Sequence, residues 1–173
     1  MNEPERFPFQ PFRSRSLGVL RRPVIPALVS GPAATHGAWF ILDSGADVSL
    51  VPYNFGQRLG LSRAEARRCQ CGGVGEGLVA YYLCAVGVAV GGIRLRVRIG
   101  WCETDIPYFL LGRLDVFDLL DIEFRQSANC TILRPAASGT TGVTQLSARP
   151  RDAGAPCERR QPEGPAALPS SRA

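Results

Sequence analysis

The stretch YYLCAVGVAVGGIRLRVRI, Tyr81 to Ile99, limits what this 173-residue chain can fold into more than any other. In its second half Ile93, Leu95, Val97 and Ile99 alternate with Arg94, Arg96 and Arg98. A two-residue period of this kind gives a strand with one buried face and one arginine face in water. Gly91-Gly92 separates the halves and suits a two-residue hairpin turn. Such a hairpin needs further sheet to cover its apolar side, and the rest of the chain supplies strands more than helices. VIPALVS and AWFILD, separated by the turn-rich GPAATHG, read as a second hairpin, and DIEFRQSANCTILRP reads as two strands around Ser127-Ala128-Asn129. Two short helices are expected: PYNFGQRLGL, with Pro52 near its start and Gly60 as its stop, and RLDVFDLLD after Gly112. The expected architecture is mainly β, a small barrel or sandwich, not a βαβ sheet.

The ends differ from this middle. Residues 1–16 carry Pro4, Pro8 and Pro11 with little periodicity and are expected to form a flexible N-terminal arm. Residues 135–173 contain no aromatic residue and are dense in Pro, Ala, Gly and Arg, so they are expected to be a disordered tail, too poor in apolar surface to offset its ordering entropy. Residues 17–134 then form one domain, a length that supports one real core. The N-terminus lacks the basic start and apolar run of a signal peptide. The uncharged stretch Leu78 to Ile93 falls short of the roughly 18 residues of a membrane span. A cytoplasmic protein without a membrane partner is expected.

All 20 cations are arginine against 15 acids, and in an Ala- and Gly-rich chain that excess fits a biased genome as readily as a nucleic-acid partner. No nucleic-acid partner is expected, and the Arg94, Arg96, Arg98 stripe is read as a solvated strand face. The six cysteines, Cys69, Cys71, Cys84, Cys102, Cys130 and Cys157, are irregularly spaced and suit reduced thiols better than a disulfide scaffold. Cys69 and Cys71 form C-x-C with no second tight pair or His-x-x-x-His to complete a zinc site, so neither metal nor cofactor is expected.

A carboxylate set among strand-forming residues stands out in FILDSGADVSLVP, Phe40 to Pro52. Asp43 follows an apolar run, Ser44 adds a hydroxyl able to lock a loop, and Gly45 permits a sharp turn. The D-S-G triplet alone is as readily an ordinary turn as a site. It is joined downstream by GGVGEG, Gly72 to Gly77, and by FLLGR, Phe109 to Arg113, followed by LDVFDLLDIEF. Taken separately these two are a loop and a buried strand stopping at glycine. In this order and spacing the three motifs resemble the retropepsin-like (retroviral-type) aspartic proteases, bacterial single-domain branch, over about Arg21 to Leu133.

The resemblance implies a small closed barrel of the acid-protease type, active as a two-fold homodimer, hydrolysing peptide bonds of a peptide or protein substrate. Asp43, with Ser44 and Gly45, would be the catalytic element. Two carboxylates sharing one proton let one act as base on a water while the other donates to the scissile carbonyl. This chain has one D-S-G, and Asp47, Asp105, Asp115, Asp118 and Asp121 lack that context, so the second carboxylate would come from another copy. By the same resemblance Ser44 braces the partner's loop. Gly73, Val74, Gly75, Glu76 and Gly77 form a substrate-covering flap, with Glu76 where glycine is frequent in the family. Ala46, Asp47, Leu111, Gly112 and Arg113 support the loop: Leu111 as core, Gly112 for close approach, and Arg113 bridging Asp47.

Other residues take plainer readings. His36 is expected in a turn, and no G-x-S-x-G surrounds Ser44 to make it a serine nucleophile. Trp39 and Trp101 are expected in core or dimer packing. The alternative function is a non-catalytic module of the same fold for dimerisation or peptide binding. Nucleic-acid binding through the arginine stripe ranks third.

Overall fold

A computed structural model describes residues 3–64, 66–72, 77–137 and, for the backbone, 143–145. In chain order the elements are β1 (Glu5–Pro8), β2 (Gln10–Ser14), β3 (Gly18–Arg22), β4 (Val24–Ser30), β5 (Thr35–Leu42), β6 (Ser49–Val51), α1 (Tyr53–Arg58), β7 (Arg67–Gly72), β8 (Leu78–Val90), β9 (Ile93–Cys102), β10 (Phe109–Leu111), α2 (Val116–Leu119), β11 (Leu120–Arg125), β12 (Cys130–Pro135) and β13 (Val143–Gln145). The chain is mainly β, as the patterning implies.

The long hairpin is the organiser. β8 and β9 pair antiparallel from Tyr81↔Cys102 to Val90↔Ile93, which leaves Gly91-Gly92 as the two-residue turn. Gly91 adopts φ +57°, where a side chain would be strained, and the Gly92 N–H donates to the Glu5 carboxylate at 2.8 Å. Ile93, Leu95, Val97 and Ile99 are buried while Arg94, Arg96 and Arg98 are exposed, so the two-residue period holds along the strand.

β4 pairs with β5 and with β8, β5 pairs parallel with β10, β10 pairs antiparallel with β6, and β6 pairs parallel with β9. With β9 returning to β8, six strands close into a ring: β8, β4, β5, β10, β6, β9. Its interior is filled by Ile25, Val29, Phe40, Val51, Val97, Ile99 and Leu111 among others, each almost fully buried. Burial of each such side chain stabilises by roughly 1.5–3 kcal/mol relative to exposure.

The two helices are short and close the barrel. α1 buries Phe55, and Leu59 beyond its end is also buried. Phe55 meets the Phe109 ring edge to face at 4.8 Å between centroids. The Asp105 carboxylate accepts from the Asn54 backbone N–H at 2.9 Å and from the Asn54 side-chain amide, anchoring the start of the helix. The Trp101 indole N–H donates to the Tyr53 carbonyl at 2.8 Å. Trp101 is therefore core, as expected. Trp39 is not: it sits on the outward face of β5 opposite Pro26 and is 56% exposed. The strand alternation that buries its neighbour Phe40 turns it outward.

The N-terminal residues depart from expectation. The segment read as a flexible arm is strand over Glu5–Pro8 and Gln10–Ser14. β1 pairs with β12, which also pairs with β11, giving a three-stranded sheet of order β1-β12-β11. β2 and β3 form a separate two-stranded ribbon. The prolines that obscured these strands, Pro8 and Pro11, stand in edge strands, where proline is tolerated. At the other end β12 extends to Pro135 and β13 pairs with β9; of the proposed tail, residues 138–142 and 146–173 lie outside the described residues.

Candidate active site

Where β5 ends, Asp43 leaves the barrel on a loop whose shape is fixed by the strand inserted beside it. β10 lies between β5 and β6, so Leu111 and Gly112 pass directly behind the loop. The Asp43 N–H donates to the Leu111 carbonyl at 3.0 Å, and the Ala46 N–H donates back to the Asp43 carbonyl at 3.2 Å. The Arg113 N–H donates to the Ala46 carbonyl and the Leu114 N–H to the Asp47 carbonyl, both at 2.8 Å. The Gly112 N–H donates to the hydroxyl of Ser49, a fully buried serine, at 3.0 Å.

Gly112 leaves no room for a side chain. A Cβ there would lie 2.5 Å from the Val48 carbonyl carbon and 2.7 Å from the Ala46 carbonyl oxygen, both backbone atoms. The glycine of FLLGR thus allows the close approach expected of it, and Leu111 is buried core.

On this platform Asp43 is half-buried, while Ser44 and Gly45 are exposed. One carboxylate oxygen of Asp43 accepts the Gly45 N–H at 2.9 Å, which orients the group. A Cβ on Gly45 would lie 3.3 Å from that same oxygen. The arrangement offers one oriented, solvent-accessible carboxylate per chain, able to take or give a proton. β7 and β8 pair from Arg67↔Leu83 to Gly72↔Leu78 and converge on residues 73–77. Gly77 is described; Gly73, Val74, Gly75 and Glu76, the core of the expected flap, lie outside the described residues.

The Arg113–Asp47 bridge is corrected. No side-chain nitrogen of Arg113 lies within 4 Å of the Asp47 carboxylate; the Arg113 and Leu114 N–H groups instead reach the backbone carbonyls of Ala46 and Asp47. The Arg113 guanidinium lies over the Phe117 ring at 5.7 Å, and Asp47 is exposed, where an ion pair gains little over water. The pair that does form nearby is Arg98–Asp115, bidentate at 2.7 and 2.8 Å, with the Arg98 backbone N–H also donating to Asp115 at 2.8 Å. These hydrogen bonds hold the Asp115 carboxyl below its usual range. Asp115 adopts φ +63°, a conformation Asp tolerates better than most residues, and so turns its carboxylate toward β9.

The sequence reading missed two further contributors. Ser49 is one, signalled only by a polar residue inside the apolar run VSLVP. The other is a second apolar cluster built from Leu50, Tyr81 and Cys102, with Val48, Cys69, Cys71 and Leu110 packed against it. Burial pushes the Cys102 thiol up to about 12 and raises Cys71, to which the nearby Asp47 charge adds. Thiols raised in this way stay protonated and serve packing, not nucleophilic attack. His36, read as a turn residue, is instead in β5, with its ring edge-on to Phe55 at 6.2 Å.

No family model matches the sequence, and neither does any curated protein. Solved structures do resemble it in shape. The crystal structure of a retropepsin-like aspartic protease from Rickettsia conorii covers 77% of this chain and 96% of that one at 16% identity, with a TM-score of 0.49. EIAV protease complexed with the inhibitor HBY-793 covers 58% of this chain and 88% of that one at 26% identity, with a TM-score of 0.40.

Proposed function

We propose that the chain is an aspartic-type endopeptidase of the retropepsin kind, assembled as a two-fold homodimer in which Asp43 of each copy forms the catalytic pair. The observation that carries this reading is the Asp43 loop: a carboxylate oriented by the Gly45 N–H, on a backbone locked by the Leu111 carbonyl and by the sterically closed Gly112 site. An ordinary surface turn has no need of such fixation. Catalytic carboxylates do, because proton transfer and attack depend on alignment.

In the dimer the two Asp43 carboxylates, brought together, hold one proton between them, since both cannot ionise at close range. The ionised member draws a proton from water as it attacks the peptide carbonyl, and the protonated member donates to the carbonyl oxygen. Collapse of the tetrahedral species returns a proton to the leaving amine. Ser44, exposed beside Asp43, meets the partner's loop in this dimer. Residues 73–77, at the end of the β7–β8 hairpin, close over the substrate, which lies extended between hairpin and loop.

Cleavage of a mixed peptide library by the wild type and by Asp43→Asn, at several pH values from about 4 to 7, tests the proposal. Turnover that falls to background in Asp43→Asn, with the dimer preserved in sedimentation, is the expected result. Equal residual cleavage by the variant, or a wild type with no turnover at any pH, overturns it; the latter result is that of a non-catalytic module. Specific activity should also fall on dilution as the dimer dissociates.

A further inference from the structure

The β2–β3 ribbon is not part of the barrel, and its composition is one-sided. Residues 6–42 contain Arg6, Arg13, Arg15, Arg21 and Arg22 and no Asp or Glu. Neither ribbon strand pairs with any other strand. Its base is anchored by Phe9, which is buried and donates its N–H to the Asn129 carbonyl at 2.7 Å.

The register sorts the ribbon into two faces. Phe12 and Leu20 are opposite each other and half-buried, as is Arg22, whose guanidinium lies 3.5 Å over the Phe12 ring. The other face carries the opposed pairs Pro11–Arg21 and Arg13–Val19, all four residues exposed. Arg15 and Leu17 extend it into the turn, where Leu17 is 70% and Val19 59% exposed. Among the described residues no ion pair involves Arg13, Arg15 or Arg21.

We propose that this ribbon is a docking surface for an anionic lipid bilayer, with Leu17 and Val19 entering the headgroup boundary and Arg13, Arg15 and Arg21 lying at the level of the lipid phosphates. Charge complementarity calls for an anionic partner, and the aliphatic tip narrows the class. Aliphatic side chains gain by leaving water for the acyl boundary, and cations of one sign beside them gain from an anionic leaflet. A nucleic-acid site would instead present bases with exposed aromatic rings or amide side chains. Here the one aromatic ring of the ribbon, Phe12, faces inward under Arg22, and Gln10 shares that inner face. The turn serines are taken up locally: Ser14 accepts the Leu17 N–H at 3.2 Å and its hydroxyl lies 3.5 Å from that of Ser16. The expectation of no membrane partner rests on the lack of a span, and surface attachment needs none. This inference is independent of the Asp43 chemistry.

Co-sedimentation of the full chain with phosphatidylcholine vesicles, with and without about a third phosphatidylglycerol, tests it. The chain should partition to the anionic vesicles alone, more weakly at 0.5 M than at 0.05 M salt, values chosen to span about 4 and 14 Å of screening length. Each arginine near an anionic surface contributes roughly fivefold, so Arg13→Ala/Arg15→Ala/Arg21→Ala should lose about 100-fold. Leu17→Ser/Val19→Ser should lose roughly tenfold in partitioning. Circular dichroism of each variant, unchanged, shows that the barrel is intact. The proposal is overturned if anionic vesicles capture nothing, if either variant retains full partitioning, or if duplex DNA or RNA at matching phosphate concentration displaces the chain from the vesicles.

Discussion

The Asp43–Asp47 loop and the Arg98–Asp115 corner are both tied to the segment that follows β10, and they are held by opposite kinds of force. The loop is held by backbone hydrogen bonds, a buried hydroxyl and a glycine with no room for a methyl group. The corner is held by a bidentate ion pair whose arginine side chain is 52% exposed. The difference shows where the fold commits its rigidity. A backbone clamp on a dry platform is indifferent to salt and pH, whereas an ion pair in contact with water is adjustable and weak.

The largest effect is expected from Gly112→Ala. Its methyl group meets backbone atoms of Val48 and Ala46 that cannot rotate away, so the loop must move as a body. A destabilisation of about 3 kcal/mol and a fall in Tm on the order of 10 °C, with loss of peptide cleavage, are expected in thermal unfolding and library assays. A Tm within a degree of wild type would break the contrast, since the loop would then be as yielding as the corner. Ser49→Ala comes next, because it leaves the buried Gly112 N–H without an acceptor. Urea unfolding should register a cost of about 1–3 kcal/mol, insensitive to salt.

Asp115→Asn is the smallest change. Asn keeps the tolerance for positive φ and one acceptor for Arg98 but removes the charge. A Tm shift of about 2 °C or less is expected near neutral pH, shrinking in high salt. Its pH dependence has a definite sign. The Asp115 carboxyl is held below its ordinary value by the Arg98 hydrogen bonds, so its stabilisation is present above the unfolded-state value of roughly 4 and is lost as pH falls through the depressed folded value. Wild-type and variant Tm values should therefore differ at pH 6 and converge toward pH 3. A gap that does not shrink at all as pH falls from 6 toward 3 would mean that the corner is held by something other than charge.

The parts of the fold legible in the sequence were those encoded locally. The alternation of β9, the Gly91-Gly92 turn and the hairpin of β4 and β5 each follow from a few neighbouring residues. The Gly112 site was legible through a motif, because only one residue type fits a Cβ position filled by another backbone. The pairing of Arg98 with Asp115 was hidden, since it depends on β9 passing beside a residue whose backbone is left-handed. So was β1, whose partner β12 is more than a hundred residues away and whose prolines read as breakers until an edge position is known. The buried role of Ser49 was equally tertiary: nothing within VSLVP says that a glycine amide 63 residues onward needs an acceptor.

β10 sits between β5 and β6, two strands that precede it by some seventy and sixty residues. During synthesis this order has a cost in time. A ribosome that has released the first hundred residues has made β5, β6 and most of the long hairpin, but not the strand that joins them, and two unpaired edges wait for it. The barrel cannot grow by accretion; it closes when residues 109–111 thread into a gap already flanked on both sides. Such long-range closure is slow and exposes aggregation-prone edges meanwhile. A chain ending just short of Phe109 would be an open sheet, not a smaller barrel.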